Sequence, residues 1–280
     1  MDALRRPPRP ALPAAAPRGR GGSGCALALH WLPAAWLVAR GAGVVRGFSG
    51  FGFSALTVAG LALFVPPASV VPAVLALEVL ASVTLMRSAL RDADRRWLAW
   101  LLAGNALFIP VGLALLAWLP EVTMRLLVGA LLLASALGLL AAGERSWPAT
   151  PALRAATGAF SGLLNGVTAS GGVAAALLMT AARVPPAALR GTMISFLLFA
   201  GAYALAWAAV LPAAGGTPLL GLHTLQWIAV LAPAMLAGIW LGRRSFHGAS
   251  AGTYRRFVLW LLVLISALGV LRALGQLLTA

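Results

Sequence analysis

The sequence contains no lysine, one cysteine and only six acidic residues among its 280. Charged residues make up 10% of the chain, against about 25% in an ordinary soluble domain, so the chain cannot cover a globular surface with polar groups. With Cys25 alone, it can form neither an internal disulfide nor a thiolate metal cluster. His30, His223 and His247 lack metal-ligand spacing, so we expect no metal and no cofactor.

The familiar catalytic motifs are missing as well. The sequence has no phosphate-binding Walker motif, no Gly-x-Ser-x-Gly nucleophile turn and no paired carboxylates suited to acid–base catalysis. We therefore expect that the chain is not an enzyme. Two alternatives stay open. One is a membrane-embedded enzyme, which would need Asp, Glu or His clustered at one membrane face, and the other is a membrane subunit that transports nothing.

Hydrophobic residues are in excess, at 61% of the chain with a mean hydropathy of +0.94. Apolar runs of the length that membrane helices need recur between residues 26 and 278. This pattern predicts an all-α fold, a polytopic transmembrane helical bundle that crosses the lipid bilayer of the cell inner membrane. The ten predicted segments, some of them short for a full span, are 27–46, 52–65, 69–87, 97–119, 122–142, 152–165, 171–183, 187–211, 224–243 and 254–277.

Arginine supplies all of the basic charge, and the formal net charge is +15. Such a basic sequence is compatible with nucleic-acid binding. However, the arginines lie mostly in short loops between apolar segments, where the positive-inside rule places them, so we expect no nucleic-acid partner. Residues 1–24 form a basic tail rich in Pro, Ala and Gly, which we predict to be disordered. No small-residue cleavage site follows an isolated apolar stretch, so a cleaved signal peptide is not expected.

The chain repeats itself at an offset of 119 residues. Residues 43–52 and 162–171 share three glycines and one hydroxyl position, and the same Pro-Pro-Ala sequence follows both without a gap. We interpret this as a duplication into two repeats of five helices each, 25–142 and 143–280. The matched positions are Gly43 and Gly162, Gly47 and Gly166, Ser49 and Thr168, Gly52 and Gly171, and Pro66-Pro67-Ala68 and Pro185-Pro186-Ala187.

The loop charges indicate that the two repeats are inverted. Loop 87–96 carries four arginines and its counterpart 211–226 carries none, whereas loop 65–70 is uncharged and its counterpart holds Arg183 and Arg190. Because cytoplasmic loops collect arginine, equivalent loops lie on opposite sides of the membrane. Inverted repeats are the architecture of many secondary transporters. The five arginines of the tail do not fit this orientation.

Each repeat has a glycine-rich stretch between apolar segments, where a membrane helix would break. A helix start exposes unpaired backbone N–H groups, and these attract anions. Two such starts from inverted repeats would meet near the membrane midplane and line a pocket for a small anion. The alternative for the glycines is close helix packing. The candidate substrate-binding residues are Gly47, Phe48, Ser49, Gly50, Phe51, Gly52, Asn165, Gly166, Thr168, Ser170, Gly171 and Gly172.

Three charged residues are further candidates for coupling or for pairing with the substrate. Glu78 is the only acid well inside a predicted span, and an intramembrane carboxylate is a functional candidate by default; it could carry a coupling proton or hold an arginine. Arg46 could pair with an anion or mark the inner end of the first helix. Arg190 could line an entrance or be an ordinary positive-inside charge.

Several motifs, in their order and spacing, resemble the TauE/SafE sulfite-exporter family. They are Gly-Phe-Ser-Gly-Phe-Gly at 47–52, the Pro-Pro that follows, the arginine-rich loop ending in Trp97, and Gly-Leu-Leu-Asn-Gly at 162–166. The resemblance extends over about residues 40–275 and implies a permease for sulfite or an organosulfonate, with its substrate at the two breaks. Export is implied by the resemblance alone. A homodimer is a candidate assembly. The second break departs from the family in lacking prolines.

Overall fold

The computed structural model describes residues 32–141, 148–211 and 219–245, together with scattered positions between 260 and 275. All regular secondary structure in these residues is helical, which confirms the all-α prediction. The predicted tail of residues 1–24 lies outside the described residues. The helices of the described ranges are α1 (Leu32–Ser49), α2 (Phe53–Ala62), α3 (Pro67–Asp92), α4 (Arg95–Trp118), α5 (Glu121–Ala141), α6 (Pro151–Thr168), α7 (Gly171–Ala181), α8 (Pro186–Val210) and α9 (Leu222–Ser245).

Four stretches of helix are long and apolar enough to cross a membrane: Pro67–Met86, Arg95–Trp118, Pro186–Val210 and Leu222–Arg244. Large apolar side chains also point outward, and Leu107 is 69% exposed. A soluble bundle buries such residues, whereas a lipid environment solvates them. The prediction of a membrane helical bundle is therefore confirmed.

The predicted segment 254–277 falls largely outside the described residues. Its described positions, which begin at Trp260 and end at position 275, are all helical. At those positions the prediction of a tenth helical segment agrees with the structure.

Three predicted helix ends, at residues 46, 65 and 165, are wrong by three residues each. Helix α2 ends at Ala62 rather than at 65, and the other two helices are longer than predicted. Helix α1 continues to Ser49 and α6 continues to Thr168. The sequence predicts ends before Gly47 and Gly166, because glycine is a poor helix former. Tertiary packing overrides that preference, because each glycine faces the backbone of another helix: Gly47 faces Ile239 of α9, and Gly166 faces Gly112 of α4.

Helix α3 is also longer than predicted. It continues to Asp92, so most of the predicted loop 87–96 is helical and only Ala93 and Asp94 separate α3 from α4. The side chain of Asp94 accepts hydrogen bonds from the backbone N–H groups of Arg96 and Trp97. This N-cap starts α4 at once, because it satisfies two amides that have no partner in the helix itself.

The helices pack in matched pairs. Helix α1 packs along α9, α4 packs along α6, and α3 packs against α8. If α1 corresponds to α6 and α4 to α9, as two repeats of five helices each predict, the first two contacts are counterparts of each other. Such exchange of helices between halves supports the proposal of two related repeats.

The arginine-bearing helix ends gather at one end of the bundle. The backbone N–H of Asp94, between α3 and α4, donates to the Thr192 hydroxyl at the start of α8, over 2.8 Å. Arg190, also near the start of α8, donates to the carbonyl of Gly47, and Gly47 in turn packs against Arg243 at the end of α9. This clustering is what the positive-inside rule predicts for a cytoplasmic face.

Candidate functional site

The first break separates α1 from α2. Helix α1 ends at Ser49, and Gly50 and Gly52 take left-handed backbone conformations with φ of 81° and 93° before α2 starts at Phe53. Only glycine adopts such angles without steric cost. The two glycines are therefore what turns the chain sharply enough to start a new helix inside the bundle.

The second break, between α6 and α7, has nearly the same form. Helix α6 ends at Thr168, Ala169 is left-handed with φ of 55°, and Ser170 leads into α7 at Gly171. The left-handed Ala169 occupies the position equivalent to Gly50. The two repeated sequences thus produce the same local interruption.

The predicted hydroxyl donors are engaged with the backbone in this conformation. Ser49 Oγ lies 2.8 Å from the carbonyl oxygens of both Val45 and Phe51. Thr168 Oγ1 donates to the Leu164 carbonyl over 2.8 Å, and Ser170 Oγ donates to the Thr168 carbonyl over 2.9 Å. Each hydroxyl has one proton, so an anion at the breaks would depend on other donors.

Asn165 supplies one such donor at the second break. Its side chain is 1% exposed, and its Nδ2 atom has no hydrogen-bond partner among the described residues. A Cβ built on Gly171 would lie 2.8 Å from the Asn165 Cβ, so the amide stands beside the first residue of α7. Buried amides normally find a partner, and this one is positioned next to the unpaired N–H groups of a helix start.

Helix α8 runs past both breaks. Gly50 faces the Cγ of Arg190 and the side chain of Ile194, and Gly172 faces the side chain of Leu197. Positions 190, 194 and 197 share one helix face, and seven residues of helix span about 10 Å. The two breaks therefore lie within about 10 Å of each other along α8.

The other predicted site residues lie around this arrangement. Phe48 is buried and Phe51 is partly buried against the core. Gly52 faces Val45 of α1. Gly47 and Gly166 face α9 and α4 rather than the breaks, so close helix packing is the role that the structure shows for these two glycines.

A buried ion pair joins three helices at the first break. Arg46 Nη2 of α1 lies 3.1 Å from Glu78 Oε2 of α3, and neither side chain is more than 2% exposed. Glu78 Oε1 accepts from the backbone N–H of Ser54, in the first turn of α2, over 3.2 Å. Arg46 also donates to the carbonyl of Gly50 and, over 2.6 Å, to the hydroxyl of Ser82. The carboxylate of Glu78 therefore sits at the positive start of α2, next to a buried cation.

This ion pair shows the role of Arg46 in the described conformation. An arginine that marks the end of a membrane helix reaches the interface, whereas Arg46 is fully buried and holds Glu78. The equivalent positions in the second half are Asn165 and Leu197. Neither of these residues is charged, so the ion pair has no equivalent at positions 165 and 197.

Sequence reasoning missed two polar residues of the breaks. Ser82 follows Glu78 by one helical turn, and Ser161 precedes Asn165 by one turn and donates to the carbonyl of Gly171 over 2.7 Å. The four-residue spacing puts each serine on the same face as the residue that it accompanies. That spacing was a usable signal, but serine is so common in membrane helices that it carries little information alone.

The described residues contain no group of three or more His, Cys, Asp or Glu side chains that could hold a metal ion. The donors at the breaks are amides, hydroxyls and guanidinium groups, which bind anions rather than metals.

The family model described as Sulfite exporter TauE/SafE matches residues 35–268 of the chain. This range includes both breaks, the ion pair and Arg190. Neither the curated proteins nor the solved structures contain a significant match.

Proposed function

Because the chain belongs to the sulfite exporter TauE/SafE family, we propose that it is a secondary transporter for a small oxyanion, sulfite or an organosulfonate. The chain is a multi-pass membrane protein, and we propose the cell inner membrane as its location. Sulfite and sulfonates share a compact, negatively charged group of oxygens on sulfur. Such a group is matched by several N–H donors converging on one point.

The observation that carries the proposal is the position of the two interrupted helices. The start of α2 lies beside Glu78, near the middle of α3, and the start of α7 lies beside Leu197, near the middle of α8. Two helix starts inside an apolar bundle bring unpaired N–H groups and two positive dipole ends to its centre. In hydrocarbon these groups require a partner, and a small anion fits that requirement.

The packing supports alternating access as the mechanism. Helix α1 belongs to the first proposed repeat and packs on α9 of the second, and α6 of the second packs on α4 of the first. Two such exchanged units can rock against each other around a central site. Because the breaks lie at that site, rocking would expose them first to one side of the membrane and then to the other.

Nothing in the described residues favours an enzyme. A membrane enzyme would need clustered acids or histidines, whereas the buried acid Glu78 is held by an arginine. We therefore propose no catalytic activity for the chain.

Counterflow in proteoliposomes tests the proposal. Vesicles that contain the purified full-length protein are loaded with unlabelled sulfite or methanesulfonate and diluted into the same labelled anion. We expect labelled anion to accumulate transiently in these vesicles and not in protein-free vesicles. If neither anion exchanges, the proposal of a sulfite or sulfonate permease is wrong.

A variant pair locates the site. Asn165→Leu removes the unpartnered buried amide beside α7 while keeping the branched shape of the side chain, and we expect it to reduce counterflow several-fold. Thr180→Val is the control, because the Thr180 hydroxyl donates only to the Ala176 carbonyl in its own helix, away from the break. Equal counterflow in both variants would remove Asn165 from the site.

A further inference from the structure

Three arginines follow one another from the surface to the centre of the bundle. Arg243 at the end of α9 is exposed, Arg190 of α8 is half-buried, and Arg46 of α1 has no exposed surface. Neighbouring members interact electrostatically, Arg243 with Arg190 and Arg190 with Arg46. The repulsion among these arginines and their attraction for an anion both strengthen as water is withdrawn. An anion that approaches the series is therefore stabilised beside each arginine.

Arg190 connects the series to the first break. Its Nη2 donates to the carbonyl of Gly47 over 3.3 Å, and its Cγ lies against Gly50. The carbonyl of Gly50 in turn accepts from Arg46. The backbone of the break thus separates the half-buried arginine from the fully buried one.

Glu78 occupies the inner end of the series. Its carboxylate contacts the Arg46 guanidinium and accepts from the Ser54 N–H at the start of α2. A guanidinium together with a helix-start amide is the donor set that proteins use for phosphate, sulfate and carboxylate oxygens. The side chain of Glu78 therefore fills the place that suits an oxyanion.

Building on the proposed transport function, we propose that Glu78 and the substrate anion compete for Arg46 and the start of α2, which couples transport to protons. When Glu78 takes up one proton, its carboxylate becomes neutral and no longer compensates the buried guanidinium. One substrate anion then takes its place on Arg46 and the Ser54 N–H. One proton and one negative charge enter together, so the net charge of the site does not change.

This balance is the physical reason for the coupling. A buried cation without a counterion carries a large desolvation penalty, because it has lost its water without gaining a partner. Arg46 therefore holds either the Glu78 carboxylate or the substrate. A state in which it holds neither is disfavoured, and a state in which it holds both carries an extra negative charge.

The charged groups around Glu78 are mostly arginines. Among the described residues, Arg46 is the charged group that contacts Glu78, with Arg190 and Arg243 behind it. Helix α2 has no titratable side chain. The remaining charged residues and histidines on the other helices packed against α3 are Arg95 and Arg96 of α4, Glu121 and Arg125 of α5, Arg154 of α6, and His223 and Arg244 of α9.

The second break cannot take up a proton in the same way. Asn165 and Leu197 stand at the positions equivalent to Arg46 and Glu78, and neither titrates. The proton site thus belongs to the first break, while the second break offers only neutral donors. This asymmetry assigns one proton to each transport cycle.

Binding of methanesulfonate to the purified full-length protein tests the coupling. Methanesulfonate stays a monoanion between pH 5 and pH 8, so any pH dependence comes from the protein, whereas sulfite itself changes protonation in this range. We expect the apparent affinity of the wild-type protein, followed by thermal stabilisation, to rise about tenfold for each unit that the pH falls, as one linked proton requires. A wild-type affinity that does not change with pH would overturn the proposal.

Glu78→Gln mimics the protonated side chain and is the decisive variant. We expect it to bind methanesulfonate at every pH as tightly as the wild-type protein does at low pH, and to lose uptake driven by a pH gradient. Asp92→Asn, at the exposed end of the same helix, is the matched control and should retain the wild-type pH dependence. Unchanged pH dependence in Glu78→Gln contradicts the proposal.

A second variant keeps the test decisive if Glu78→Gln does not fold. Arg46→Gln combined with Glu78→Gln removes both charges and leaves no buried ion, and we expect it to fold but not to bind methanesulfonate. Retained binding would overturn the role of Arg46. Failure of the wild-type protein to bind or exchange any anion would instead contradict the proposed function itself.

Discussion

Gly50 and Ala169, which lie 119 residues apart, are both left-handed at the end of a helix, with φ of 81° and 55°. The hydrogen bonds before them also match, since Ser49 contacts the Val45 carbonyl and Thr168 contacts the Leu164 carbonyl, each over 2.8 Å. The two breaks therefore share one left-handed residue and the hydrogen bond before it, although one uses glycine and the other alanine. Gly52 adds a second left-handed residue to the first break, which its counterpart Gly171 does not match.

Substitutions at these two positions should have unequal effects on stability. Gly50→Ala adds a Cβ at a left-handed residue, which costs about 1–2 kcal/mol, and places it 2.9 Å from the Arg190 Cγ. Ala169→Gly relieves the same strain but loses a buried methyl group worth about 0.8 kcal/mol and gains freedom in the unfolded chain. We expect Gly50→Ala to melt at a clearly lower temperature in detergent, and Ala169→Gly to melt close to the wild-type temperature. Equal losses in both variants would contradict this account.

The packing of α4 on α6 should be sensitive to a single methyl group. A Cβ at Gly166 would lie 2.7 Å from the Gly112 Cα and 2.7 Å from the Leu113 N. These are backbone atoms that cannot rotate away, so we expect Gly166→Ala to destabilise the protein by about 1–3 kcal/mol, the usual cost of overpacking. The measurement is thermal unfolding of the purified protein.

Gly41→Ala is the control for that experiment. Gly41 lies in a helix as well, but nothing lies within 4 Å of a Cβ built there. Alanine is the better helix former by up to about 1 kcal/mol, so this variant should be as stable as the wild-type protein or more stable. A loss equal to that of Gly166→Ala would show that glycine matters through the helix itself rather than through packing.

The sequence was sufficient to predict the order of the helical segments and the two regions in which the helices break. Apolar runs and prolines fixed the order of the helices, because these signals are local. The repeated glycines marked both interruptions. The ends at residues 46 and 165 were misjudged, because the packing of Gly47 on α9 and of Gly166 on α4 involves residues distant in the chain.

The contacts of the charged residues were also beyond what the sequence could predict. The sequence identified Glu78 as a lone intramembrane acid with two open roles, a proton carrier or a partner for an arginine. Its contact with Arg46 joins residues 32 positions apart on different helices, and no periodicity within one helix reports such a pair. The capping of α2 by the same carboxylate is a further long-range contact that only the folded chain brings about.

The start of α4 gives a prediction about the arginine-rich end of the bundle. Asp94 Oδ1 accepts from Arg96 N over 2.9 Å and from Trp97 N over 3.1 Å. Loss of an N-cap costs about 1 kcal/mol, so Asp94→Ala should lower the free energy of unfolding by about that amount. Asp92→Ala, an exposed residue at the other side of the turn, should change it much less. Both values follow from denaturant unfolding in mixed micelles, and equal losses would argue against the cap.

Arg243 should act on the approach of the anion rather than on its binding. It is exposed at the end of α9 and is the electrostatic neighbour of Arg190, so its charge raises the local anion concentration at the entrance. We expect Arg243→Gln to reduce the initial rate of sulfite or methanesulfonate counterflow several-fold at low ionic strength and at anion concentrations below saturation. At about 1 M salt the Debye length falls to about 3 Å, so the difference from the wild-type protein should disappear.

Arg95→Gln removes the same charge from an exposed position at the start of α4 and should have a smaller effect. A deficit that persists at high salt would instead mean that Arg243 contacts the bound anion or supports the fold.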